Sequence, residues 1–479
     1  MSVVAHIETA EPTEASAKKK RVMKPKPNPA TVTTRAYRTE LDPNATQERY
    51  FFQAVGATRW VYNWNLAERM RRWERYTKLR GNLVRWREEY SEQLAPRLDR
   101  LTAEESRRYT EARLSFFDWC KELTILKMDP ERAWLGDMDR TALNATLQNL
   151  DRAFANFYRR AKKHGAGDHS ECGGGPVCSL GYPRFKRRQE NGVGFKFLSS
   201  VRVEEVHAPA TVEEDGTIAP GPYYTRICLP KIGWVRLKES EHLPLGTVKI
   251  ASGAVTRRAG RWFVSIAVVE PRVSPKPALG PVLGIHMGIR QAVTCSDGTV
   301  YEMPRPTEEQ IRRKEILGRR MARCKEGSVA WKKAAKQLAD LEFQIACRRE
   351  YAQQWVTTQI VRKRSAALHV EAWDIAGMKR DRRFAKGFQE VGAAEMIRQL
   401  RYKADWAGIP VHTHMRTFPA SQMCNQCGAL NEKMADGRRV FRCEPRMISG
   451  RMVGCGYIAD REVNATNNIA RPPEKCDIC

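Results

Sequence analysis

Apolar and polar residues alternate over 33–41, the period of a half-buried strand. From 46 to about 76 the period lengthens to that of a helix, with Phe51, Val55, Trp60, Trp64 and Leu66 among the apolar positions. Helical patterns return over 113–126 and 139–163. This stretch is dense in arginines and rings, among them Trp73, Trp86, Trp119, Trp134, Phe154, Phe157 and Tyr158. Rings at helical spacing are ordinarily core, while arginines interleaved with them also suit a nucleic-acid groove. Between 201 and 269 the texture changes to short β-runs, YYTRICL, GWVRL, TVKIASGAVTR and RWFVSIAVV, which predict a β-barrel or sandwich. The segment 271–281, PRVSPKPALGP, reads as a linker. After it come the apolar strand VLGIHMG and the run QAVTCSDGTV, which turns near Asp297-Gly298 like a hairpin. A long charged helical stretch (307–365), a buried strand (367–372), a helix (392–407) and a strand (411–415) complete an α/β layer.

Composition changes this picture in two ways. The 479 residues exceed what one core usually organises, so roughly two to four domains are expected. Lys and Arg number 83 against 55 Asp and Glu, a net charge of +28 spread along the chain. Such a chain attracts polyanions by counterion release, which points to nucleic acid rather than a membrane surface. No stretch reaches the roughly 18 apolar residues of a membrane span, and the N-terminus lacks the apolar core of a signal peptide. A cytoplasmic protein is expected, whose 13 cysteines serve as thiols and metal ligands rather than disulfides. Residues 1–31 read as a disordered basic arm carrying Lys18-Lys19-Lys20-Arg21.

The chemistry concentrates in the last third. Cys424-x-x-Cys427-Gly is a knuckle with zinc-ligand spacing, and Cys443 with Cys455 is the best second pair. Those two are separated by EPRMISGRMVG, so the second knuckle reads as opened by an insertion. A zinc ion there would hold a small fold together rather than do chemistry. His164, His169, Cys172 and Cys178 form a looser metal candidate, and Cys476 and Cys479 could add ligands. Phosphodiester cleavage by two divalent ions needs carboxylates on adjacent strand ends and a helix start. Three positions have that context: His286 ending VLGIH, Glu371 ending ALHVE, and Asp460 opening the helix DREVNATNNIA.

At these residues the chain resembles the transposon-encoded TnpB proteins and the compact type V CRISPR effectors. The resemblance runs through RTELDP (38–43), GATRWVYNW (56–64), DRAFANF (151–157), GYPRFK (181–186), LPKIG (229–233) and GRWFVS (260–265). It continues through Val370-Glu371 with IAGM (375–378), YKA (402–404), SQMCNQCG (421–428) and DREVNATNNI (460–469), the last two being the most specific. It implies a multidomain α+β fold. A wedge β-barrel, split into 32–60 and 187–272, would carry a helical recognition domain over 61–186. A linker (273–281) would lead to an RNase H-like (RuvC) α/β domain over 282–423. A zinc-ribbon insertion over 424–455 would interrupt that domain, which ends at 456–472 before a tail (473–479). The implied partners are a guide RNA and double-stranded target DNA with a short flanking motif read by the protein.

One departure bears directly on activity. The family's first RuvC motif reads Gly-Ile-Asp-x-Gly, and here it is Gly284-Ile285-His286-Met287-Gly288. Imidazole prefers softer ions than Mg²⁺, so the triad His286, Glu371 and Asp460 is expected to be impaired. The expected function is RNA-guided DNA binding with weak or absent cleavage. Two alternatives stay open: an active guided endonuclease using Mg²⁺ or Mn²⁺ at Glu371 and Asp460 with His286, and an unguided transposon-associated DNA-binding protein.

Overall fold

The computed structural model describes residues 32–89, 95–165, 181–188, 193–198, 201–207, 211–212, 218–219, 223–240, 243–271, 280–372, 385–415, 418–431, 439–448 and 451–471. The basic run 18–21, the loop candidates His169, Cys172 and Cys178, residues 375–378 and the pair Cys476 and Cys479 lie outside these.

The first strand, β1 (Val32–Asp42), is followed by four helices: α1 (Ala45–Glu89), α2 (Ala95–Ala112), α3 (Phe116–Leu126) and α4 (Arg140–Gly165). Ser115 and Asp118 form a capping box at the start of α3. The chain then returns to strands β2 (Gly194–Phe197), β3 (Val201–His207), β4 (Thr211–Val212), β5 (Ile218–Ala219), β6 (Tyr223–Leu229), β7 (Gly233–Leu237), β8 (Gly246–Val248), β9 (Ile250–Arg258) and β10 (Arg261–Pro271). Eight of these form one sheet in the order β2-β9-β10-β1-β7-β6-β3-β8. The helices are thus an insertion between the sheet's first strand and the rest. Among the described residues the end strands β2 and β8 do not pair with each other, so the expected barrel is an open sheet. Sheet and helices share one core: Phe51 of α1, Trp119 of α3, Leu143 of α4 and Val264 of β10 are all buried in it. Each such Leu or Phe contributes about 1.5–3 kcal/mol relative to exposure.

A second sheet begins at β11 (Leu283–Met287) and continues with β12 (Val293–Cys295) and β13 (Val300–Tyr301). The turn expected at Asp297-Gly298 joins β12 to β13, and Gly298 there has φ +85°, open to glycine at no steric cost. The helical stretch expected over 307–365 is two helices, α5 (Glu308–Arg323) and α6 (Val329–Arg362). Gly327, at φ +80°, and the N-cap Ser328 separate the two. Then follow β14 (Leu368–Val370), α7 (Ala385–Val391), α8 (Ala393–Ala407) and β15 (Val411–Thr413). The order is β13-β12-β11-β14-β15, antiparallel on the β12 side of β11 and parallel through β14 and β15. The last elements are β16 (Val440–Arg442), the hairpin β17 (Arg446–Ile448) and β18 (Arg451–Val453), β19 (Ile458–Asp460) and α9 (Arg461–Ala470).

Candidate active site and metal centre

The parallel pairing of β11 with β14 sets Ile285 opposite Val370. The next residues, His286 and Glu371, therefore emerge side by side. α9 crosses directly over β11, because Gly284 leaves room: a Cβ there would overlap the carbonyl oxygen of Thr466 and come within 2.6 Å of the Ala470 nitrogen. Two histidines hold the far end of α9. Nδ1 of His369 donates to the carbonyls of Arg471 (2.8 Å) and Ile469 (3.2 Å), and Nε2 of His414 donates to Ile469 (2.8 Å). These bonds satisfy carbonyls that a helix end leaves without intrahelical partners. Burial lowers the His369 pKa, which keeps the ring neutral.

The first turn of α9 consequently falls on His286. Nδ1 of His286 lies 2.9 Å from Oε1 of Glu371, and Nε2 lies 2.6 Å from Oε2 of Glu462. The Nδ1 contact lacks hydrogen-bond alignment and is chiefly Coulombic. Burial by itself would depress the imidazole pKa, but the two carboxylates outweigh it and push it up to about 10. His286 is therefore an imidazolium at neutral pH. Burial would raise Glu462 in turn, and the imidazolium overrides it and holds the carboxyl below the usual range.

Of the three residues expected to form the acidic site, His286 and Glu371 meet, and Asp460 caps the helix that brings Glu462 to them. Oδ1 of Asp460 accepts from the backbone N–H of Glu462 (2.8 Å) and of Val463 (3.4 Å), making it the N-cap of α9. Glu462, two residues on, takes the place beside His286. The sequence carried a usable signal here, since Asp directly before a helical run is a strong N-cap former. The fit to paired divalent ions is poor. Mg²⁺ wants oxygen ligands at about 2.0–2.1 Å in an octahedron, whereas here the space between the two carboxylates is filled by a cationic ring.

The cysteines behave differently. Sγ of Cys424 lies 3.7 Å from Cys455 and Sγ of Cys427 lies 3.6 Å from Cys443, with all four sulfurs within 4.8 Å of one another. A tetrahedral ion with metal–sulfur bonds of about 2.3 Å places its sulfurs about 3.75 Å apart, so the donor set fits a tetrathiolate metal site. The insertion that separates Cys443 from Cys455 folds into the hairpin β17–β18 and leaves the knuckle closed. Gly454, at φ +105°, lets the hairpin return against Glu444, and the N–H of Gly456 donates to the carbonyl of Cys443 at 3.0 Å. α9 grips this unit from outside. The Asn464 amide accepts from Asn425 N–H (2.9 Å) and donates to the Met423 carbonyl (2.8 Å), and Asn468 donates to Ala420 (2.9 Å) and Met423 (2.6 Å). One ten-residue helix thus carries Glu462 into the acidic site and the knuckle backbone on its next turns.

Three family descriptions match this chain in order: a helix-turn-helix domain over 33–78, a probable transposase over 265–382, and a Cas12f1-like TNB domain over 394–469. An RNA-guided DNA endonuclease by name from Streptomyces pristinaespiralis is 25% identical over 91% of this chain and 88% of its own length. The similarly named InsQ of Escherichia coli K12 is 25% identical over 91% of both. The CRISPR-associated endodeoxyribonuclease Cas12f1 of Sulfoacidibacillus thermotolerans is 24% identical over 45% of this chain and 51% of its own. A Cas12f1 structure in complex with single-guide RNA and target DNA aligns over 92% of this chain and 99% of its own, with a TM-score of 0.40 and 12% identity. Along nine tenths of its length the chain is thus similar to proteins named as RNA-guided DNA endonucleases, and over its cysteine unit and α9 to the Cas12f1-like TNB domain.

Proposed function

We propose that this protein binds double-stranded DNA under the direction of a guide RNA, reads a short flanking motif itself, and occupies its target with weak or absent cleavage. The observation that carries the reading is the His286 ring seated between Glu371 and Glu462, 2.9 and 2.6 Å from their oxygens. A positive group of the protein's own stands where phosphodiester chemistry would need divalent cations. The relatives' names support the guided targeting, and the charge of +28 supplies the attraction to nucleic acid. The sheet order β13-β12-β11-β14-β15 supports an RNase H-like assignment for this half, and the sheet built on β1 supports a wedge role for the other. Zinc is the ion proposed for Cys424, Cys427, Cys443 and Cys455, as a structural centre. The protein would act in the bacterial cytoplasm, where its target DNA lies.

The active-nuclease reading requires His286 to leave the two carboxylates that hold it at 2.9 and 2.6 Å. The test is to express the chain with its native flanking DNA, sequence the copurifying RNA, and offer the complex a matched plasmid with Mg²⁺ and with Mn²⁺. Specific binding with intact plasmid is expected, and His286→Asp is expected to gain nicking or cutting. Efficient cutting by the wild-type protein would overturn the silent-site reading, and absence of any defined RNA would overturn guidance.

A further inference from the structure

The helical insertion holds a cavity that the acidic site and the cysteine centre do not use. It measures about 490 Å³, within the span of about 300–1,000 Å³ typical of ligand sites. It opens where α1, α3 and α4 meet the segment 181–188. Its rings form two layers. Trp119 and Phe154 are buried, and they carry the guanidinium of Arg69 over their faces at 5.0 and 5.3 Å. Trp73, Tyr158 and Tyr182 line the same cavity yet stay 44%, 53% and 44% exposed. Large rings left half open around a cavity bury less apolar surface than they could, unless something else completes the stack.

One polar feature narrows what that is. At the rim stands Arg113, exposed, its guanidinium resting over the Tyr109 ring. An occupant of this site therefore has a flat π-face for the open rings and a negative charge for an arginine. A nucleotide has both, and base–aromatic stacking tolerates any base.

We infer that this cavity takes one unpaired nucleotide of the bound RNA, its base stacked among Trp73, Tyr158 and Tyr182. RNA is favoured because folded RNA presents splayed-out bases in loops and bulges before any target is bound, whereas DNA offers unpaired bases only in the strand displaced by guide pairing. The inference rests on the proposed RNA guidance and adds a site to it. It is tested on the full-length protein carrying its copurified RNA. Ultraviolet crosslinking and peptide mass spectrometry should find ribonucleotide adducts on Trp73, Tyr158 or Tyr182. In parallel, the double variant Trp73→Ala, Tyr158→Ala should lose about ten-fold or more in affinity for that RNA, the scale of one lost base stack. The double variant Trp73→Phe, Tyr158→Phe should keep most of the affinity, because it keeps the ring faces. Adducts confined to other regions, with the alanine variant binding as tightly as wild type, would overturn the site while leaving RNA guidance standing. Deoxynucleotide adducts in the cavity would overturn the assignment to RNA. A wild-type chain that binds no RNA would remove both readings together.

Discussion

His286 is held in place by how tightly its neighbours need it. Two carboxylates facing each other without a cation repel, and each loses hydration in a largely buried site. The imidazolium cancels both costs, which ties its protonation to stability. Its folded pKa, about 10, stands above the unfolded value of 6.5. The stability it contributes is therefore fully present below about pH 6.5 and is lost as pH rises towards 10. Glu462 is depressed, so its contribution is present above its ordinary range and is lost as pH falls through its folded value. The protein should be most stable near pH 5–7 with respect to this cluster. Thermal unfolding of wild type should fall between pH 7 and 10 by more than that of His286→Gln, in which the titrating ring is absent. Equal pH dependence in the two would show that the charge on His286 contributes nothing. Glu371→Gln, which leaves the ring one carboxylate, should lower stability by about 1–3 kcal/mol, as expected when a buried ion pair loses a partner that a hydrogen-bonding amide partly replaces. It should leave guided DNA binding unchanged, and a large loss of binding would make Glu371 part of the nucleic-acid surface instead.

At the scale of elements, α9 is the piece on which both centres depend. It packs on β11 through Gly284, is held at its end by His369 and His414, and grips the knuckle through Asn464 and Asn468. Gly284→Ala should force the helix off the strand and destabilise the chain by about 1–3 kcal/mol, the usual cost of overpacking. A melting temperature unchanged by that substitution would mean that the contact is soft. Cys424→Ser removes one of four thiolates, so zinc measured per chain should drop sharply, and the backbone amides of 461–470 should exchange faster with solvent. Unchanged zinc content would exclude Cys424 as a ligand. Faster exchange restricted to 420–456 would show that the knuckle and α9 are independent. The motif DREVNATNNI reads as an acidic-site signature, yet two of its residues, Asn464 and Asn468, serve the cysteine unit. Those two side chains bond backbone, and Asp460 caps the helix.

For the whole molecule, the excess charge of +28 sets the behaviour in solution. Binding that neutralises about 6–10 phosphates should weaken by about 10³–10⁵ between 50 and 200 mM salt. A guided complex measured across that range should show a linear fall of log affinity with log salt, and a flat response would mean that arginines and lysines contribute little to the contact. Among the described residues no helix is long and apolar enough to cross a membrane.

Local pattern determined much of this protein. Period-two alternation placed β1, helical periodicity placed α1, α3, α4 and α8, and the CxxC knuckle with Cys443 and Cys455 named all four clustered sulfurs. These follow from neighbours in sequence, where steric and hydrogen-bonding rules act over a few residues. Pattern stopped short wherever a side chain had to choose between partners distant in the chain. Asp460 and Glu462 are equally acidic and two residues apart. Only the docking of α9 over Gly284 decided that one caps the helix while the other meets a histidine 176 positions earlier, at 2.6 Å. The openness of the eight-stranded sheet was decided the same way, because whether its end strands meet depends on the twist and stagger of every strand between them. So too was the placing of an imidazolium between two carboxylates, since its charge comes from groups brought together only by the fold.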